Sequence, residues 1–186
     1  MVCMSDIADR YRRLSGQFAE TVAAVDPDRW SDPSPCEEWT ARGVVQHVVD
    51  SQSMFLGLVG RSAEGIPSVE DDPLAAFLAA SSLVQADLDD EQRAGVTFEG
   101  FAGTSRFDAA VDRFVSFDLV VHRWDLARAV GLDDTIDDAE VERLMTVDAP
   151  AFGDMLRGPG VVGPEVEVPA DASAQDRLIA YLGRRP

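Results

Sequence analysis

The segment from Phe107 to Val130 restricts the fold of this chain most strongly, because its apolar side chains recur at the spacing of a helix. One helical stripe of this segment consists of Val111, Phe114, Val115, Asp118, Val121, His122, Asp125 and Ala129. Gly131 follows directly, at a position where a left-handed residue commonly ends a helix. The pattern predicts a long helix over Phe107–Val130, in which Asp118 and His122 occupy positions that normally belong to core side chains.

Other segments carry the same periodicity or clear helix boundaries. Helices are predicted over Asp6–Val25, from the N-cap Thr40 to about Gly60, over Pro73–Asp90, over Asp137–Leu156 and, after the cap Ser173, over Ala174–Leu182. Irregular loops are predicted over Ser31–Cys36 and Gly158–Pro169, and a short extended excursion over Gly95–Ser105. Long helices joined by loops predict an all-α fold: a four-helix bundle with additional C-terminal helices and one extended excursion.

The length and the charge of the chain narrow its class and its partners. With 186 residues it is expected to form one domain, over residues 1–186. The net charge of −18 would repel nucleic acid and an anionic membrane, so neither is expected as a partner. All 16 basic residues are arginine, which indicates a GC-rich genome of the actinobacterial kind.

The cysteines and the N-terminal sequence indicate the compartment. Cys3 and Cys36 do not make a disulfide framework, so a reducing cytosol is expected. The first residues lack the basic and apolar regions of a signal peptide. No apolar run reaches the ~18 residues that span a bilayer. The predicted location is therefore cytoplasmic.

Three side chains are candidates for binding a metal ion. Asp118 and His122 are four residues apart, so in a helix they share one face, and His47 would have to approach from a second helix. Two imidazoles and one carboxylate leave a coordination position open for water or substrate, as in catalytic zinc sites. A buried Asp–His pair without metal explains Asp118 and His122 equally well, and His47 alone is more typical of an ordinary core or surface histidine.

Two segments resemble a known family. Residues 33–47 (PSPCEEWTARGVVQH) and 118–131 (DLVVHRWDLARAVG) are similar to the mycothiol-dependent maleylpyruvate isomerase N-terminal family, part of the DinB/YfiT-like group of four-helix-bundle metalloproteins. Residues 164–178 resemble a branch of predicted metal-binding members. The resemblance implies a divalent metal held by His47, Asp118 and His122, most often Zn²⁺, with Ni²⁺ or Fe²⁺ as alternatives. Relatives commonly carry glutamate at the Asp118 position, so binding here is expected to need a small helix shift or a bridging water.

The neighbours of this set have expected roles as well. Asp125 is predicted either to accept a hydrogen bond from a ligand imidazole or to pair with Arg128 or Arg42. Asp50 is a weaker candidate for the first of these roles. Cys36 is not expected to act as a nucleophile, because no histidine remains free to activate it.

An open zinc site can lower the pKa of a bound water to ~7 or bind a thiolate. The resemblance implies the second chemistry, with mycothiol as the thiol cosubstrate, a small electrophile as its partner, and Arg123 able to attract an acidic substrate. The predicted function is thus a thiol transferase or isomerase, with a non-catalytic metal-binding or sensing module and a zinc-dependent hydrolase as alternatives.

The isomerases of that family carry a sizeable C-terminal domain. Here only about 30 residues follow Gly158, fewer than the ~50 of a small domain. Substrate contacts from such a domain are expected to be absent or supplied by the partner of a homodimer, and maleylpyruvate itself is not predicted as the substrate.

Overall fold

A computed structural model describes residues 4–37, 39–100, 103–158 and 161–186. Its central helices are α1 (Met4–Ala23), α2 (Ala41–Leu58), α3 (Pro73–Leu88) and a long helix formed by α5 (Phe107–Ala110), a π-helical turn (Val111–Val115) and α6 (Ser116–Val130). Helices α1 and α2 each pack against α3 and α6. The predicted all-α four-helix bundle is confirmed.

Capping side chains define where these helices begin and end. The Thr40 hydroxyl accepts a hydrogen bond from the backbone N–H of Gly43 at the start of α2, and Asp72 accepts one from Ala75 at the start of α3. Gly131 adopts φ +66° and ends α6 in the left-handed conformation. The predicted N-cap at Thr40 and the predicted stop at Gly131 are both confirmed.

The long helix differs from the prediction by one π-helical turn. The backbone N–H of Ser116 bonds to the carbonyl of Val111, five residues earlier, instead of four. The extra residue changes the angular position of everything that follows, and Asp118 lies in the first turn of α6 directly after it. The π turn therefore contributes to where Asp118 points.

The predicted single helix over Asp137–Leu156 is wrong in detail. It consists of α7 (Asp138–Arg143), a π-helical turn (Leu144–Asp148), α8 (Ala149–Phe152) and a 3₁₀ segment (Gly153–Arg157). Gly153 adopts φ +55°, which few residues other than glycine adopt, and so breaks the helix.

The predicted extended excursion is a two-stranded antiparallel hairpin. A short helix, α4 (Glu91–Ala94), leads into β1 (Thr97–Gly100), which pairs with β2 (Gly103–Arg106). Residues 101 and 102, between the strands, lie outside the described residues, and so does Cys3.

The C-terminal segment returns to the bundle. Ser173 caps α9 (Ala174–Tyr181) by accepting a hydrogen bond from the N–H of Asp176, as predicted. After α9, Leu182 is fully buried and Gly183 turns the chain with φ +82°. This turn carries Arg184 back to the bundle. None of the helices in the described part of the chain combines the length and hydropathy needed to cross a bilayer.

Candidate metal centre

One ligand atom from each of His47, Asp118 and His122 lies within 4.8 Å of the other two. Nε2 of His47 is 3.6 Å from Oδ2 of Asp118, and Nε2 of His122 is 4.0 Å from Oδ1 of the same carboxylate. Atoms bound to one tetrahedral zinc ion are ~3.3 Å apart, given metal–ligand distances of ~2.0–2.2 Å. The donor set fits a small divalent metal, and the side chains would have to close slightly to share it.

The packing of α2 against α6 creates this convergence. His47 lies in the second turn of α2, whose start is set by Thr40, and faces the turn of α6 that carries Asp118 and His122. The side chain of His122 is 8% exposed, that of Asp118 24% and that of His47 36%. The cluster is therefore closed on the His122 side and open to solvent on the His47 side.

Asp125 orients the imidazole of His122. Oδ2 of Asp125 lies 2.9 Å from Nδ1 of His122, one turn earlier on the same helix. An ionised carboxylate can only accept a hydrogen bond, so Nδ1 carries the proton and donates. In the neutral imidazole this leaves Nε2, the nitrogen that faces Asp118, as the ligand atom.

Asp125 pairs with Arg184, a residue outside both sequence motifs. Nε of Arg184 donates to Oδ1 at 3.0 Å and Nη2 donates to Oδ2 at 2.9 Å, and both side chains are buried. The two arginines predicted as partners of Asp125 have other partners, so that prediction is wrong: Arg128 pairs with Asp134, and Arg42 donates to backbone carbonyls. The predicted hydrogen bond to an imidazole and a salt bridge to a third arginine thus occur together.

Both carboxylates of the site are ionised at neutral pH. Burial alone would raise the pKa of Asp118, but the His47 and His122 imidazoles, with the Ser51 hydroxyl that donates to Oδ2 at 3.1 Å, lower it overall. Burial also acts to raise the pKa of Asp125, and the hydrogen bond from His122 and the charge of Arg184 outweigh it, so this pKa is well below the usual range. A negative charge is thus available on Asp118 for a cation.

Cys36 contacts both members of the Asp125–Arg184 pair. Its Sγ lies 3.2 Å from Oδ2 of Asp125 and 3.2 Å from Nη2 of Arg184. Burial and the Asp125 charge raise the pKa of the thiol to about 12, so it is protonated at neutral pH and a poor nucleophile. Cys36, His122 and Asp125 form a second set with metal-ligand spacing, but the Arg184 guanidinium already lies against two of its three members.

Trp39 forms a wall of the candidate site. Its ring lies 4.6 Å from the His47 ring at an interplanar angle of 35°, and 5.7 Å from the His122 ring. The two imidazoles are themselves in edge-to-face contact at 4.8 Å. The indole therefore limits how far His47 can swing away from the cluster.

Two further sequence candidates take no part in the cluster. Asp50 is exposed and accepts a hydrogen bond from Gln46, one turn earlier on α2. The guanidinium of Arg123 donates to the backbone carbonyls of Asp133 and Thr135 and so stabilises the loop after α6, instead of facing a substrate.

Sequence reasoning missed Arg184 and Ser51. The buried position of Asp125 was the indication that a positively charged side chain lies beside it, because a buried carboxylate requires a partner. Arg184 is 59 residues away in sequence, however, and no local pattern distinguishes it from the other arginines.

This bundle, with two histidines and an aspartate converging between α2 and α6, defines a protein of the all-α DinB-like class. Residues 11–127 match the family described as mycothiol maleylpyruvate isomerase N-terminal domain, and the chain belongs to this family. Uncharacterised proteins of two Mycobacterium tuberculosis strains are each 30% identical to it over 176 residues, which cover 94% of this chain and 95% of each relative. No solved structure matches the chain significantly.

Proposed function

We propose that this protein binds one divalent metal ion, Zn²⁺ by preference, through His47, Asp118 and His122. The observation that carries the proposal is the convergence of two imidazole nitrogens and one ionised carboxylate within 4.8 Å, with Nδ1 of His122 already engaged by Asp125. Three protein ligands leave one tetrahedral position for a small molecule. The partial exposure of His47 and Asp118 supports an open position on the solvent side.

We further propose that the open position receives the sulfur of a low-molecular-weight thiol, mycothiol, for transfer to a small electrophile. When bound, zinc holds a thiol as thiolate at neutral pH and so supplies the nucleophile. In the neutral form each imidazole offers one nitrogen lone pair to the metal, and ionised Asp118 supplies a negative charge. Trp39 covers one side of the site. Membership of the mycothiol isomerase family supports the thiol over water as the nucleophile.

Cys36 has no part in the proposed transfer. Its thiol is protonated and paired with Asp125 and Arg184, so a sulfur nucleophile must come from outside the protein. The proposed partners are accordingly a small thiol and a small electrophile. The net charge of −18 disfavours nucleic acid and anionic membranes, and a cytoplasmic location remains part of the proposal, because mycothiol chemistry requires a reducing compartment.

The test combines zinc-loaded protein with mycothiol and a chromogenic electrophile, and compares wild type, His47→Ala and Asp50→Asn. The Asp50→Asn control changes a carboxylate on the same helix that does not face the cluster. Thiol-dependent consumption of the electrophile by wild type and Asp50→Asn, absent in His47→Ala, is the expected result.

Two other results would overturn thiol transfer. Turnover of an ester without any thiol would identify a hydrolase that uses a zinc-bound hydroxide. Stoichiometric metal with no turnover of a panel of electrophiles at millimolar mycothiol would identify a non-catalytic metal-binding module.

A further inference from the structure

Arg184 reaches the candidate metal centre from the opposite end of the sequence. It follows α9 and is 7% exposed, and its guanidinium meets the carboxylate of Asp125 through two parallel N–H···O contacts at 3.0 and 2.9 Å. Such a bidentate pair fixes the plane of a carboxylate as well as its position. The contact therefore determines how Asp125 is presented to other groups.

The segment that carries Arg184 is itself held in place. Its backbone N–H donates to the carbonyl of Ile179 at 3.0 Å, and its Nη1 donates to the carbonyl of Leu182 at 2.9 Å. Gly183, at φ +82°, packs so closely on Gly163 that an added Cβ would lie 2.7 Å from backbone atoms. These contacts hold the guanidinium in place independently of Asp125. The guanidinium in turn fixes the position of the carboxylate.

Oδ2 of Asp125 accepts from three donors at once. Nδ1 of His122 and Nη2 of Arg184 each lie at 2.9 Å, and Sγ of Cys36 lies at 3.2 Å. With Arg184 and Cys36 fixing this oxygen, His122 has one orientation in which its Nδ1–H can donate. In that orientation Nε2 faces Asp118 at 4.0 Å.

We propose that Arg184 is a positioning residue for the metal centre: through the carboxylate of Asp125 it holds His122 as the Nδ1–H tautomer, with Nε2 directed at the metal position. This inference rests on the proposed metal-binding function and assigns a role to a residue outside the range that matches the family. Arg184 touches neither metal nor substrate, so its effect is indirect and depends on Asp125.

Two measurements test the role, one of them without metal. The chain has only two histidines, so the imidazole ¹⁵N NMR spectrum of the apo protein, assigned with His47→Gln, reports the tautomer of His122 directly. Titration with Co²⁺, a spectroscopic substitute for zinc, gives the metal affinity. The variants are Arg184→Met, Arg184→Lys, Asp125→Asn and the double variant, with Arg128→Met as the control, because Arg128 also pairs with a carboxylate but does not touch Asp125.

The wild type is expected to show a single Nδ1–H tautomer for His122, and Arg184→Met to lose it. Loss of such an outer partner typically weakens metal binding ~10–100-fold, so we expect about that loss in Arg184→Met and a smaller one in Arg184→Lys, which keeps the charge but has a single donor group. When Asp125 is already asparagine, adding Arg184→Met should weaken Co²⁺ binding by less than a further ~3-fold, because the effects of residues in one network are not additive. Arg128→Met should bind as wild type.

Wild-type Co²⁺ affinity in both Arg184 variants, with the His122 tautomer unchanged, would overturn the inference and leave the metal site standing. The inference would also be overturned if Arg184→Met weakened Co²⁺ binding as much in the Asp125→Asn variant as in the wild type. Arg184 would then act on the metal centre without Asp125. If the wild type bound no Co²⁺, the proposed function would fail, and the inference about the metal centre with it. Arg184→Lys and the apo spectrum decide the matter if Arg184→Met does not fold.

Discussion

Nδ1 of His122 lies 2.9 Å from Oδ2 of Asp125, one helical turn later on α6. Because the carboxylate can only accept, this contact places a proton on Nδ1, so the neutral imidazole is the Nδ1–H tautomer and its Nε2 lone pair faces Asp118. A buried imidazole needs a hydrogen-bond partner, and here that partner leaves the second ring nitrogen facing Asp118. The same turn of helix thus supplies a candidate ligand and the group that orients it.

Asp118→Asn should abolish metal binding. The amide is nearly isosteric but neutral, so it removes the negative charge that lies near Nε2 of both His47 and His122. We expect Co²⁺ affinity to fall by more than the ~100-fold upper range for losing an outer partner. Isothermal titration of Asp118→Asn beside Asp50→Asn measures this. Equal affinities in the two variants would exclude Asp118 as a ligand.

Cys36 should be slow to alkylate in the folded protein. Its pKa of about 12 leaves little thiolate at pH 8, and the thiolate is the reactive species. We expect iodoacetamide to modify Cys36 at least ~10-fold more slowly in buffer than in denaturant, as measured by peptide mapping, which separates it from Cys3. Reaction at the same rate in both conditions would contradict the buried pairing with Asp125 and Arg184.

Glu140 should stabilise the fold in a pH-dependent way. This buried carboxylate accepts a hydrogen bond from Nη2 of Arg10 at 2.7 Å, and the contact links α7 to α1. Burial acts to raise the pKa of Glu140, but Arg10 and Arg13 lower it overall from its ordinary value of 4.5. A depressed carboxylate pKa contributes stability above the ordinary value and loses it as the pH falls through the folded-state pKa.

Glu140→Gln should therefore cost roughly 1–3 kcal/mol at pH 7, because Arg10 keeps Asp112 as a partner, and the difference from wild type should shrink below pH 4.5. Urea unfolding at several pH values measures it. Asp9→Asn, which removes an exposed partner of Arg12, is the control and should cost under ~1 kcal/mol. A difference between wild type and Glu140→Gln that stays constant down to pH 3.5 would refute this account of the buried pair.

Helix boundaries were predictable from sequence wherever a local side chain determines them. Thr40 and Ser173 accept hydrogen bonds from N–H groups three residues later, and Gly131 adopts a backbone conformation that other residues avoid, so each acts within one turn. The π turns over Val111–Val115 and Leu144–Asp148 were not predictable, because no single side chain signals the change from an i→i−4 to an i→i−5 hydrogen bond.

The residues of the candidate site also divide into those that the sequence predicts and those that it does not. Asp118, His122 and Asp125 share one helix, so their spacing predicts that they are neighbours. His47 required the family resemblance, because nothing in its own segment indicates which helix it faces. Arg184 required the tertiary structure, since its contact with Asp125 depends on the turn after α9.

Gly183→Ala should disturb both stability and the metal centre. A non-glycine residue in the left-handed region costs ~1–2 kcal/mol, and the new Cβ would also lie 2.7 Å from the backbone of Gly163. Gly60→Ala is a matched control, because Gly60 has φ +71° and, among the described residues, no neighbour within 4 Å of an added Cβ. We expect Gly183→Ala to lower the melting temperature more than Gly60→Ala.

Only Gly183→Ala should also weaken Co²⁺ binding, because only this position precedes Arg184. Titration of both variants decides the point. Equal melting temperatures and equal affinities would show that the turn after α9 does not hold the guanidinium in place.

The metal content of the protein tests the central claim most directly. Wild type and His47→Ala, both purified without chelator or nickel resin and both incubated with zinc, are compared by elemental analysis after desalting. We expect about one zinc per chain in the wild type, as a single site requires, and none in His47→Ala. No retained metal in the wild type would reduce Asp118, His122 and Asp125 to a buried polar network and contradict the proposed function.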